Sequence, residues 1–268
     1  MDVPRGACLA RPRGEGMTAA AIDVRGLGKD FGAVRALDRL DLEVREGEFF
    51  GLLGPNGAGK TTTVHLLATL LAPSRGTARV AGHDVAREGL AVRRHIGLVF
   101  QETTLDRDLT ITENLRFAAR LWSLPDRVAR PRIDAVLRQF GLWERRNDSV
   151  RGLSGGLRRA ADIARGILTE PRILFLDEPT AGLDPRARRA LWEQIRGLRA
   201  ASGVTVLLTT HYVAEAEPCD RVAVLDHGRL AALGTPSELK RAAGVDSLEE
   251  VFLAHTGHRL PEGEGDGG

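Results

Sequence analysis

An α/β fold with a mostly parallel sheet is what the pattern of this 268-residue chain predicts. Three observations carry the prediction. Short, almost wholly apolar runs alternate with amphipathic stretches of helical period; a Gly-rich loop joins one such run to a helical stretch; and another apolar run ends on two adjacent carboxylates. Near-continuous apolar strands are what a parallel sheet covered on both faces requires, because both sides of each strand are buried.

In chain order, Ala21 to Val24 and Ala36 to Val44 alternate apolar and polar residues and suit an antiparallel edge sheet. Phe49 to Leu53, Ile96 to Phe100, Ile173 to Leu176, Val204 to Thr209 and Val222 to Leu225 read as buried parallel strands. Thr61 to Leu71 reads as a helix. From about Thr110 to Gly152 the chain turns helical, with Thr110 and Glu113 as a capping box and Pro125 and Pro131 punctuating the next helix. Thr235-Pro236-Ser237-Glu238 and Ser247-Leu248-Glu249-Glu250 open two further short helices by the same capping logic. No repeat of solenoid period is present.

Composition narrows the function classes. Hydrophobic content of 43% and charged content of 28% are those of a globular protein. A net charge of +2 gives no reason to expect nucleic acid as the main partner. Cys8 and Cys219 form neither a metal-type pair nor a disulfide framework, which fits a reducing compartment. No apolar run approaches the ~20 residues of a spanning helix, and the Arg-containing first residues lack the apolar stretch of a secretory signal. Met17 is a second candidate start.

Gly54-Pro55-Asn56-Gly57-Ala58-Gly59-Lys60-Thr61 matches G-x-x-x-x-G-K-[ST], after a strand and before a helix. Glycines let backbone N–H groups curl around phosphate oxygens, and the helix N-terminus adds a favourable dipole. Lys60 can reach the β- and γ-phosphates, and the Thr61 hydroxyl can hold Mg²⁺. The chain has three lysines, Lys29, Lys60 and Lys240, so a lysine in this loop is not an accident of a lysine-rich chain. Asp177 and Glu178, at the end of an apolar strand, add a Mg²⁺-binding carboxylate and a candidate general base. Alone they would be a solvated strand end; beside a P-loop they complete a phosphate site. The Asn/Thr-Lys-x-Asp motif that reads guanine is absent, which leaves ATP as the expected nucleotide.

Leu153-Ser154-Gly155-Gly156 lies between the two phosphate elements, and Pro179-Thr180-Ala181-Gly182-Leu183-Asp184-Pro185 follows the second. In this order the motifs resemble those of the ATP-binding cassette (ABC) family over about Ile22 to Gly234. The resemblance implies a P-loop NTPase core, an antiparallel β subdomain and an inserted helical subdomain. It assigns nucleotide contacts to Gly54, Pro55, Asn56, Gly57, Ala58, Gly59, Lys60, Thr61 and Thr62, and to Ser154, Gly155, Gly156 and Asp184. Phe31 falls where the family stacks an aromatic on adenine, although a core role for it is a serious rival. Gln101 matches the glutamine that touches Mg²⁺ or the water, beside Thr61 and Asp177, and His211 matches the switch histidine on the γ-phosphate. Asp184-Pro185 is also a good helix N-cap and N1 pair.

Leu157 stands where many members have glutamine. An apolar residue there is similar to the branch of daunorubicin-resistance and nodulation exporters, as are Glu215-Ala216-Glu217, Gly234-Thr235-Pro236 and the Val251-Phe252-Leu253 to Thr256-Gly257 segment. The resemblance implies an ATP-hydrolysing subunit, peripheral on the inner face of the cell membrane, that works on a separate permease and pairs head to tail with a second copy. Its domain plan places a disordered extension at 1–20, the ATPase domain at 21–240 with its helical subdomain at about 102–158, and a short helix and disordered tail at 241–268. The rivals are a cassette ATPase acting on ribosomes or nucleic acid and a binding module with a dead site. One P-loop, one signature and an intact Lys60, Asp177, Glu178 and His211 speak against both.

Overall fold

The computed structural model describes residues 20–257. Cys8, Met17 and the residues after Gly257, on which some expectations fall, lie outside that range, whereas Ala20 is already in a strand.

The chain runs β1 (Ala20–Phe31), β2 (Val34–Arg45), β3 (Phe49–Leu53), α1 (Lys60–Leu67), β4 (Arg75–Val80), β5 (His83–Asp84), α2 (Gly89–His95) and β6 (Ile96–Val99). There follow α3 (Ile111–Leu121), α4 (Asp126–Gln139), α5 (Gly155–Gly166), β7 (Ile173–Asp177), α6 (Pro185–Ser202), β8 (Thr205–Thr210) and α7 (Val213–Ala216). It ends with β9 (Arg221–Asp226), β10 (Arg229–Gly234), α8 (Pro236–Ala243) and α9 (Leu248–Thr256).

One sheet has the order β10-β9-β3-β8-β7-β6, parallel except for the β10–β9 edge. The other, β2-β1-β4-β5, is antiparallel throughout. Strand β3 shows why the first sheet is apolar on both faces. Phe49 and Leu53 point into the core shared with α3–α6, α8 and α9, whereas Phe50 and Leu52 point into the core shared with α1 and the antiparallel sheet. Fully burying each such side chain is worth about 1.5–3 kcal/mol.

Three local departures from the sequence expectations have physical causes. Helix α1 stops at Leu67 rather than Leu71, because Thr69 adopts φ 63° and closes a Schellman turn, Leu70 N to His65 O and Thr69 N to Leu66 O. Arg93 donates to the Thr69 hydroxyl at 2.7 Å and braces this left-handed residue, a place glycine usually fills. Pro131 does not break its helix but lies inside α4. The buried face of Ala129, Ile133, Val136 and Leu137 holds that helix in the core despite the lost N–H. Finally, β4, β5 and β10 lie outside the expected strands.

All three expected capping boxes form, at Thr110/Glu113, Thr235/Glu238 and Ser247/Glu250. Helix α5 runs past residue 158 to Gly166, directly against β6. That approach demands glycine: a Cβ on Gly97 would lie 2.3 Å from the Gly166 carbonyl oxygen. Among the described residues no helix is long and apolar enough to cross a membrane.

Candidate ATP site

Strands β3, β8, β7 and β6 are neighbours and parallel, so the loops at their C-terminal ends lie side by side. That edge is where open α/β sheets bind ligands. Here the topology gathers the P-loop after β3, Gln101 after β6, Asp177 and Glu178 at the end of β7, and Thr209 to His211 at the end of β8.

The P-loop conformation depends on its glycines. Gly57 and Gly59 have φ of 80° and 99°, and a Cβ on Gly54 would meet the Leu225 carbonyl oxygen at 2.5 Å. Gly59 hands over directly to α1, whose first amides have no intrahelical acceptor and point toward the loop. Lys60 is 4% exposed, and its ammonium donates to the carbonyls of Gly54 and Pro55 at 2.8 and 3.0 Å. It also lies 3.3 Å from Glu178 Oε1. Burial pulls the Lys60 pKa below its ordinary value, with Glu178 and Asp177 pulling it back up.

Glu178 is the hub. Its Oε2 is 3.1 Å from His211 Nδ1 and 3.5 Å from Gln101 Nε2, which donates to it. Burial alone would raise its pKa, but the His211 hydrogen bond and the Lys60 charge prevail and hold it below the usual carboxylate value. Glu178 has φ 44°, an uncommon conformation for a residue with a side chain. Thr209 secures it: the Glu178 amide lies 3.0 Å from the Thr209 hydroxyl oxygen and 3.2 Å from its carbonyl oxygen. The same Thr209 hydroxyl donates to Asp177 Oδ1 at 2.5 Å, and the Thr61 hydroxyl donates to that oxygen at 3.2 Å. Two hard oxygens thus converge at the start of α1, the donor chemistry that suits Mg²⁺.

The structure therefore brings Lys60, Thr61, Gln101, Asp177, Glu178 and His211 together. It places Ser154, Gly155 and Gly156 elsewhere. Ser154 caps α5, its hydroxyl accepting from the Leu157 amide at 3.4 Å. Asp184 caps α6, accepting from the Ala187 amide at 2.9 Å. These two helix starts touch: a Cβ on Gly156 would lie 2.8 Å from Ala187 Cβ. Among the described residues neither Ser154 nor Asp184 shares a hydrogen bond with Lys60, Asp177 or Glu178. Leu157 packs against the larger core cluster, which accounts for an apolar residue after the two glycines. Phe31 is 47% exposed at the β1–β2 turn with Lys29 Nζ 5.0 Å from its ring centre, so it is not a core residue.

Sequence reasoning gave no role to three groups, of which Glu215 appeared only as a mark of the family branch. Thr209 gave no signal beyond its strand-end position. Arg159, on α5, donates to backbone carbonyls after β6. Glu215, 3% exposed, accepts from the hydroxyls of Thr180 and Thr210 and so joins the segment after Glu178 to the strand before His211.

With this geometry in view, the family described as ABC transporter matches residues 37–181. The daunorubicin resistance ATP-binding protein DrrA3 of Streptomyces coeruleorubidus is 49% identical over 237 residues, which cover 88% of this chain and 75% of the relative. The Nod factor export ATP-binding protein I of Ralstonia nicotianae is 43% identical, over 89% and 75% of the two chains. Among solved structures, an ATP-binding subunit of an ABC transporter superposes with a TM-score of 0.78 at 32% identity, covering 87% of this chain and 98% of the other. An ATP-binding cassette captured as a dimer in a post-hydrolysis state with ADP and Pi gives 0.72 at 26% identity, over 80% and 98%. The alternative of a cassette acting on ribosomes or nucleic acid finds no support in these relatives. By the matched family and relatives, this chain belongs to the ABC transporter family as one of its ATP-binding, ATP-hydrolysing subunits.

Proposed function

We propose that this chain powers export of a drug-, lipid- or glycan-like substrate through a separate membrane permease. In this reading it sits at the inner face of the membrane, works as a head-to-tail pair of copies and needs no nucleic acid. The export direction rests on the relatives named for daunorubicin resistance and Nod factor export. The domain plan follows: 21–240 as the ATPase domain, with the helical segment inserted at about 102–158, and 241–268 as a short C-terminal helix and a disordered tail, the helix α9 packing Leu248, Val251 and Phe252 into the main core.

The observation that carries the mechanism is the convergence of six side chains on one strand-end edge, with the Ser154–Gly156 segment held apart from them. The amides from Gly57 to Thr62 and the Lys60 ammonium take the β- and γ-phosphates. The phosphates then compete with Glu178 for Lys60, which frees one oxygen of that carboxylate. Glu178, ionised at neutral pH, accepts a proton from the attacking water as general base. His211 and Gln101 hold its other oxygen and orient it. Thr61, Asp177 and Gln101 would hold Mg²⁺, which supplies positive charge against the phosphate oxygens. Phe31, exposed at its turn, offers a π face to adenine. The Ser154 hydroxyl with the Gly155 and Gly156 amides of one copy, flanked by Asp184, closes on the γ-phosphate held by Lys60 of the other.

Mixing two inactive variants tests this. Lys60→Ala and Ser154→Arg each spoil both composite sites of a homodimer. Random pairing makes half the dimers mixed, and each mixed dimer keeps one intact site. ATPase activity recovers to about a quarter of the parent if the sites act independently in an isologous pair. Tagged heterodimers that form yet give no recovery would leave the head-to-tail arrangement untenable. Sedimentation with membranes only when a permease is co-expressed checks the location.

A further inference from the structure

Loop 100–104, which leaves the sheet after β6, is held by helix α5 at both ends. At its start Arg159 spans two successive carbonyls, Nη1 donating to Phe100 O at 2.5 Å and Nη2 donating to Gln101 O. At its end Thr104 accepts from Arg165 and donates to Asp162 Oδ1 at 3.4 Å. Asp162 is fully buried, with Arg165 Nη2 at 2.9 Å and Arg159 Nη1 at 4.0 Å. The Arg159 side chain is itself 7% exposed, an unusual place for a guanidinium unless it is satisfied by charge and hydrogen bonds. Its fixed fork matches two adjacent carbonyls in a way one ammonium point charge does not.

The position of these two carbonyls gives the clamp a consequence. Strand β6 ends at Val99, so Phe100 and Gln101 are the first residues without ladder partners, and Arg159 replaces the sheet in fixing them. Gln101 extends from this fixed backbone to Glu178. Glu178 and Lys60 are anchored elsewhere, on β7 through Thr209 and on the P-loop carbonyls. Ser154 caps α5 about 1.4 turns before Arg159. The same rigid helix thus carries the Ser154–Gly156 segment at its start and grips the Gln101 backbone.

We propose that Arg159 is a positioning residue for hydrolysis: through its paired bonds to the Phe100 and Gln101 carbonyls it locks the Gln101 side chain to the helix that bears Ser154. A displacement of α5 toward or away from a bound nucleotide is then passed to Gln101, and so to the orientation of Glu178. The proposal rests on the reading of Gln101 as part of the hydrolytic site, and the test separates the two.

Purified full-length chain carrying Arg159→Lys, Arg159→Met, Gln101→Ala, or Gln101→Ala with Arg159→Lys is assayed for ATP affinity, kcat, KM and thermal unfolding. Arg159→Lys keeps the buried charge and the fold but cannot hold both carbonyls. It lowers kcat about tenfold, within the range that a misplacement of about 1 Å produces, with ATP affinity and KM near those of the parent. Arg159→Met gives a larger kcat loss, and Arg159→Lys recovers part of it. In the Gln101→Ala background Arg159→Lys has no further effect on kcat. Should Arg159→Met fail to fold, Arg159→Lys and the double variant decide. An unchanged kcat per folded molecule in Arg159→Lys, with Gln101→Ala strongly impaired, overturns the proposal and leaves the Gln101 reading standing. An unimpaired Gln101→Ala overturns both. Multiplicative losses in the double variant mean Arg159 acts by another route, which also overturns the proposal.

Discussion

Two glycine-containing segments start helices in this chain, 54–59 leading into α1 and 154–156 at the cap and first turn of α5, and their surroundings differ. Around the first, Lys60 meets Glu178, Thr61 meets Asp177, and Gln101 and His211 reach the same carboxylate. Around the second, Ser154 serves its own helix, and the neighbours are the apolar side chains of Leu183 and Ala187. One is surrounded by charged side chains of its own chain that pair with one another; beside the other, Arg158 and Asp184 bond to backbone. The first can do chemistry. The second can lend backbone donors to something brought to it, which is the physical reason for expecting a partner copy.

The largest effect expected tests the first loop's surroundings. Glu178→Gln keeps the shape and loses the base, so turnover falls by ~10²–10⁴-fold while ATP still binds. Near-normal turnover in the purified variant sinks the base assignment. The pH dependence of stability gives a second check. The folded Glu178 pKa lies below its unfolded value, so its ionised interactions contribute stability that is fully present above the ordinary Glu pKa of about 4.3. That contribution is lost as pH falls through the lower folded value. The stability difference between the parent and Glu178→Gln should therefore be flat from neutral pH to about 5 and narrow below about 4. A difference that narrows already near pH 7 contradicts the depressed value.

A smaller effect is expected at Phe31, which belongs to neither loop. If its exposed ring stacks on adenine, Phe31→Ala weakens ATP binding by ~1–3 kcal/mol and Phe31→Tyr binds as the parent does. Loss of less than about 0.5 kcal/mol, measured by equilibrium titration, removes Phe31 from the site. Because the ring is exposed, a loss of fold is not the expected outcome.

How much of this was legible in the sequence depends on how local each signal is. Phe49–Leu53 was found with its observed bounds because both faces of β3 are buried, so every residue votes the same way. The buried strands β6 to β9 were found to within a residue or so at each end for the same reason. Strand β4, with Arg75, Gly76, Thr77 and Arg79 among its six residues, gives no such vote, because its pairing with β1 rather than its own composition makes it a strand. At the site, motif residues were legible one loop at a time. The roles of Thr209, Arg159 and Glu215 were not: each is a buried polar group with a partner far along the chain, Asp177 32 residues from Thr209, Phe100 59 from Arg159 and Thr180 35 from Glu215, beyond any local pattern. Thr69 hid the end of α1 because it takes a left-handed conformation where a glycine would have advertised the stop.

The smallest effect sharpens the comparison most, because it uses two residues doing the same local job. Ser154 caps α5 and Thr235 caps α8, each accepting from the amide three residues on. Ser154→Ala and Thr235→Ala should each cost about 1 kcal/mol of stability, the usual value of an N-cap hydroxyl, or roughly 2–4 °C in Tm for a chain of this size. The Thr235 hydroxyl lies 3.1 Å from the amide it caps against 3.4 Å at Ser154, so the Thr235 loss should be the larger of the two. If Ser154 were only a cap, the two variants would have equal turnover once corrected for folded fraction. Under the composite-site reading they differ. Thr235→Ala hydrolyses ATP as the parent does, whereas Ser154→Ala loses a hydroxyl that meets the γ-phosphate held by the other copy. It should show lower turnover and weaker ATP-dependent dimerisation at unchanged ATP affinity for the monomer. Equal stability losses with equal turnover would mean that Ser154 holds up its helix and nothing else, and that the backbone amides of Gly155 and Gly156 alone make the contact.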